Sequence, residues 1–127
     1  MADLISSIYM DLGSDEIIYR LVDVFYSKIE SDQILRPLYP DDLTLPKRHL
    51  ALFLIQRFGG KPTYSEERGH PRMRARHMPF KIGIKEKDAW MINMNTALDS
   101  IAEFESHKTV LKEYFEEFAT FMINQPD

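Results

Sequence analysis

The chain has 127 residues, a formal net charge of −4 and no cysteine. That length suits one domain spanning residues 1–127, with a core large enough to stand without disulfides. The missing thiols exclude a disulfide framework, a thiolate metal site and a cysteine nucleophile, and the acidic balance argues against a dedicated nucleic-acid or membrane-surface binder.

The N-terminal Met1-Ala2-Asp3-Leu4-Ile5 carries an early acid and no basic start or long apolar run, so a cytoplasmic location is expected. Ser14 can cap a first helix with Asp15 and Glu16 in its opening turn, and Ile18, Leu21, Val22, Phe25, Tyr26 and Ile29 follow as an apolar stripe at helical spacing. Pro37 and Pro40 break the chain after it. Thr44 can cap a second helix with Pro46 in its first turn, presenting Leu50, Phe53, Leu54 and Phe58 and ending at Gly59-Gly60. Residues 59–83 read as one long irregular stretch, rich in Gly and Pro and positive at Lys61, Arg68, Arg72, Arg74 and Arg76. Within it, Ser65 followed by Glu66 and Glu67 reads as a helix start. A third helix is expected from about Lys85, with Trp90, Met94, Ala97, Leu98 and Ile101 on one face. A fourth runs from about Ser106, with Val110, Leu111, Tyr114, Phe115, Phe118 and Met122 turned inward. No alternating strand pattern is present, so the fold class is all-α.

Eight Phe, six Tyr, one Trp and seven Met suit a large adaptable apolar pocket, and equally an aromatic core. His70 and His77 fall in the irregular stretch; a pair seven apart without cysteines is weak for zinc, and either can be a capping or surface residue. The arginines around them suit an anion such as phosphate, nucleic acid or carboxylate, or simply a solvated loop. No Gly-x-Ser-x-Gly, P-loop or Gly-x-Gly-x-x-Gly motif is present.

The run Tyr64-Ser65-Glu66-Glu67-Arg68-Gly69-His70-Pro71-Arg72-Met73-Arg74-Ala75-Arg76-His77-Met78-Pro79-Phe80, followed by Asp88-Ala89-Trp90, resembles the signature of group II truncated haemoglobins. Leu21-Val22-Asp23-Val24-Phe25-Tyr26, Leu38-Tyr39-Pro40-Asp41-Asp42-Leu43 and Phe53-Leu54 with Gly59-Gly60 agree in order and spacing, so the resemblance runs from about residue 7 to residue 125. It implies a globin-like two-over-two helical sandwich around haem b, built from the Ser14 and Thr44 helices with the two C-terminal helices. It implies His77 as the iron ligand, His70 as a structural residue of the loop, and Arg76, His49 and Tyr64 as partners of the haem propionates. Phe53, Leu54, Met73 and Met94 are further implied haem contacts. Tyr26, Tyr39, Leu50 and Trp90 are implied around the bound gas, with Leu50 and Pro46 unable to donate a hydrogen bond.

The resemblance thus implies binding or transport of O2 and other diatomic ligands (NO, CO) at a pentacoordinate iron, with slow O2 release. NO dioxygenation or peroxide chemistry in the same pocket is the enzymatic alternative and would need a reductase. A haem-free helical module using its arginines on an anion is the third. Neither nucleic acid nor a membrane is an expected partner, and a homo-oligomer is compatible with the sequence.

Overall fold

The computed structural model describes residues 3–126; Met1, Ala2 and Asp127 lie outside them. Seven α-helices follow in order: α1 (Ile8–Leu12), α2 (Asp15–Ile29), α3 (Thr44–Arg57), α4 (Thr63–Arg68), α5 (Met73–His77), α6 (Ile84–Asp99) and α7 (Lys108–Met122). Two 3-10 turns, Arg36–Leu38 and Ala102–His107, complete the path, and no strand occurs among the described residues. None of these helices is long and apolar enough to cross a membrane.

The start of α2 follows the sequence reading. Ser14 is extended and its Oγ accepts the Glu16 N–H at 3.0 Å, satisfying one of the donors a helix start leaves open. The expected cap of α3 is corrected: Thr44 is the first helical residue, and the Asp42 carboxylate two residues earlier accepts its N–H at 2.9 Å. Residues 59–83 are not structureless. They hold α4 and α5, of six and five residues, with Ser65 inside α4 rather than before it. Helices this short bury too little of one face to write a period into the sequence.

Packing places α2 against α3 and α6, and α6 against α7. Phe53 of α3 meets Phe118 of α7 with ring centroids 5.7 Å apart, so the α2–α3 pair lies over the α6–α7 pair as expected. Phe25, Phe58, Phe104 and Phe115 are fully buried between them. Each such ring stabilises the fold by about 1.5–3 kcal/mol relative to leaving it in water. In α3 the run Ala51 to Ile55 is buried without interruption, because α2 covers one side and α4 another.

Candidate functional site

A cavity of about 390 Å³ opens where α3, the α4–α5 segment, α6 and α7 meet. Of the residues expected at a binding site, it gathers Tyr26, Tyr39, His49, Leu50, Phe53, Tyr64, Met73, Arg76, His77 and Trp90 into one wall, though they span more than sixty positions of chain. Leu54 and Met94 are not among the residues that line it: both are buried in the core. Leu54 follows Phe53 by about 100° of helix rotation, so Phe53 takes the cavity side and Leu54 the core. Met94 lies a turn beyond Trp90 on α6, and the indole forms the wall there instead.

His77 is the last residue of α5. Its Nδ1 meets the Met73 carbonyl, one turn back, at 2.5 Å. A carbonyl only accepts, so Nδ1 carries a proton, and in the neutral ring Nε2 then keeps its lone pair. That is the tautomer a metal ligand needs. The short helix is braced from its N-terminal side. Arg72 takes the left-handed conformation (φ 45°) that turns the chain into α5, and its N–H donates to His70 Nδ1 at 3.1 Å. His70 does not line the cavity. Arg76 donates through Nε to the Pro71 carbonyl at 2.6 Å and through a terminal nitrogen to the Arg68 carbonyl at 2.9 Å.

The rim is cationic. Arg68 and Arg76 stand 5.6 and 5.9 Å from the ring centre of buried Tyr64, close enough for cation–π attraction. Burial, and then the charges of Arg68, Arg48 and Arg76, hold the His49 imidazole below its ordinary pKa. At neutral pH His49 is therefore a neutral hydrogen-bond partner rather than another cation.

Tyr26, from α2, and Tyr39 pack edge to face with centroids 5.5 Å apart. Trp90, from α6, is wedged against Phe25 and Phe115 at 5.3 and 5.5 Å. Burial, with Tyr39 beside it, drives the Tyr26 phenol well above its ordinary pKa. Burial also pushes Tyr39 up to about 12, partly offset by the Tyr26 and Trp90 donors next to it. Both phenols keep their protons at neutral pH and can donate, as can the indole N–H. Leu50 and Pro46 line the same cavity and contribute shape alone.

The sequence reading missed Leu38, Pro40, Arg68, Phe80 and Phe118 as wall residues. Phe118 stood in the inward stripe of the last helix, where a cavity wall and a core position look alike. The assembled set fits haem. It offers one imidazole in the ligating tautomer, apolar and aromatic walls for a flat macrocycle, and arginines at the rim for carboxylates. Among the described residues no group of three or more His, Asp or Glu side chains could hold a bare metal ion.

The pattern of the bacterial-like globins matches residues 7–124. The chain is 40% identical over 113 residues to the group 2 truncated hemoglobin YjbI of Bacillus subtilis, covering 89% of this chain and 86% of that one. Its fold superposes on the haemoglobin of the thermophilic phototroph Chloroflexus aurantiacus with a TM-score of 0.90 and 46% identity, over 94% and 98% of the two chains. The group II truncated haemoglobin of Bacillus anthracis gives a TM-score of 0.90 at 38% identity, over 94% and 98%. The truncated oxygen-avid haemoglobin of Bacillus subtilis gives 0.87 at 38%, over 93% and 99%.

Proposed function

Since this chain belongs to the bacterial-like globins, as a group II truncated haemoglobin, we propose that it binds haem b through His77 and retains O2 and similar diatomic gases by hydrogen bonds from Tyr26, Tyr39 and Trp90. The observation that carries the reading is the Nδ1 contact of His77 with the Met73 carbonyl at 2.5 Å, which in the neutral ring leaves the Nε2 lone pair for a ligand, in a wall shared with those three donors. When bound, haem supplies an iron with a free position for gas. Every other part of the task falls to the chain.

His77 ligates, and the Met73 carbonyl orients its ring and raises its basicity. Phe53, Met73, Phe80 and Phe118 exclude water from the macrocycle faces, while Arg68, Arg76, His49 and Tyr64 meet its acidic edge. With no cysteine in the chain, thioether attachment to it is impossible, which supports haem b over a c-type haem. His70, the other histidine of the signature, is turned to the Arg72 backbone and lies outside the cavity, so it would not serve as the iron ligand. Bound O2 carries partial negative charge, and each donor to such an acceptor contributes about 1.5–3 kcal/mol. Two engaged donors slow release by a few orders of magnitude, at about 1.4 kcal/mol per tenfold. The oxygen avidity of the Bacillus subtilis relative supports the same reading.

Titration of the purified chain with haem tests the proposal. One equivalent per chain with a sharp Soret band, followed by slow O2 displacement in stopped flow, is the expected result. A chain that takes up no stoichiometric haem overturns it. Consumption of NO by the O2-loaded protein, with re-reduction in cell extract, would mark an NO dioxygenase served by a reductase; O2 retention without such turnover marks a carrier or sensor.

A further inference from the structure

Asn124 stands beyond the end of α7, outside every motif of the sequence. Ile123 is extended (φ −60°, ψ 128°) and swings the chain off the helix axis against the segment that follows His77. There the Asn124 amide meets three backbone groups. Nδ2 donates to the His77 carbonyl at 3.2 Å and to the Phe80 carbonyl at 2.8 Å, and Oδ1 accepts the Ile82 N–H at 3.0 Å. The Asn124 N–H also donates to the Ile82 carbonyl at 2.8 Å. Two acceptors and one donor face the amide, so only one orientation serves all three, and asparagine has the right complement at the right length.

We propose that Asn124 is a positioning residue for His77, fixing from the C-terminal side the imidazole that Met73 fixes from the N-terminal side. The inference rests on the haem-binding reading above. Its physical basis is the weakness of everything else around the segment. A five-residue helix is unstable by itself, and Met78, Pro79 and Phe80 are exposed and contribute little burial. The same end of α7 accepts a hydrogen bond at the Ile123 carbonyl from Arg74 of α5, at 3.3 Å. Asn124 therefore ties the ligand helix to a long, packed helix, and a ligand held less well costs metal-site affinity, typically 10- to 100-fold for lost supporting bonds.

The test compares wild type with Asn124→Ala, which removes the three side-chain bonds to backbone groups and the one that Oδ1 accepts from Gln125 Nε2, and Asn124→Asp, which keeps the acceptor for Ile82 and sets a carboxylate oxygen against two carbonyls. Thr120→Ala is the control, since that exposed hydroxyl bonds only the Glu116 carbonyl of its own helix. Haem transfer to excess apomyoglobin is expected to speed up at least tenfold in both Asn124 variants and to stay unchanged in the control. The iron–histidine stretching band of the ferrous protein should shift or broaden in the same two variants. If Asn124→Ala does not fold, Asn124→Asp decides alone. Variants that lose thermal stability but keep the wild-type transfer rate and stretching band overturn the proposal. If wild type itself takes up no haem, the functional reading falls instead. Amide exchange across residues 77–82 in the haem-free chains then decides: faster exchange in the variants upholds the tie, and equal exchange removes it.

Discussion

The Met73 carbonyl decides which nitrogen of His77 can ligate, because a single contact within one short helix occupies Nδ1 and leaves Nε2 as the nitrogen for a ligand in the neutral ring. His77→Ala is expected to abolish most haem affinity, whereas His70→Ala, which removes only an acceptor for the Arg72 N–H, leaves the Soret band in place. The reverse pattern in a haem titration would move the ligand to His70. Among the pocket donors, Trp90→Phe should speed O2 dissociation roughly tenfold to a hundredfold, since it removes one bond to a charged acceptor worth about 1.5–3 kcal/mol. Leu50→Ala removes shape alone and should change the rate less; stopped-flow O2 displacement on both variants compares them. For Arg76 the structure alters the physical account. The guanidinium already spans the Pro71 and Arg68 carbonyls, so it braces the loop as well as facing the rim. Arg76→Ala is expected to speed haem transfer modestly, by about tenfold or less, with the difference largest at low salt. Transfer equal to wild type at low salt would count against the propionate contact. His77, Tyr26, Tyr39 and Trp90 were legible through the resemblance that the Tyr64–Phe80 run carries, whereas spacing alone leaves each histidine of that run equally a capping or surface residue. Leu54 and Met94 were not separable from true wall residues, because apolar side chains look the same whether they face a ligand or the core.

At the level of elements, α4 and α5 show where periodicity loses its force. Six and five residues punctuated by Pro62, Gly69 and Pro71 look like a loop, and only contacts with α3 and α7 make them helices. The corner after α3 has the opposite character, since Gly59-Gly60 marked a stop that the structure keeps. Gly59 has φ 104°, and a Cβ built there would lie 1.9 Å from the Ser6 carbonyl oxygen. Gly59→Ala is therefore expected to destabilise the protein by roughly 2–4 kcal/mol, from backbone strain of about 1–3 kcal/mol and displacement of the N-terminal segment. Urea unfolding measures it, and a loss below about 0.5 kcal/mol would mean that the segment moves aside freely. The helix start at Ser14 was readable because the cap and the N–H that it accepts from lie two residues apart. The start at Thr44 was misassigned because Asp42 and Thr44 are both competent caps and only the backbone path chooses between them.

Across the whole molecule, the burial of Tyr26 and Tyr39 couples the pocket to pH. Both phenols titrate above the ordinary tyrosine value of 10, with Tyr39 near 12, so the folded chain binds their protons more tightly than the unfolded chain does. The Tyr39 contribution is complete below about pH 10 and is lost as pH rises toward 12, while that of Tyr26 persists to higher pH. Alkaline unfolding should show stability falling across that window, and Tyr39→Phe should flatten the fall; an unchanged profile would place the Tyr39 phenol in contact with water in the folded state. Sequence alone determined the helical class and the four long helices, which are written locally in spacing and breakers, and the resemblance carried by the Tyr64–Phe80 run named the chemical groups. Tertiary structure alone decided the rest. It chose which apolar side chains face the cavity, folded the two short helices, turned Nδ1 of His77 to a carbonyl, and brought Asn124 to the backbone of a residue forty-seven positions earlier. Those outcomes depend on contacts between distant segments, whose free energies exist only once the helices have packed.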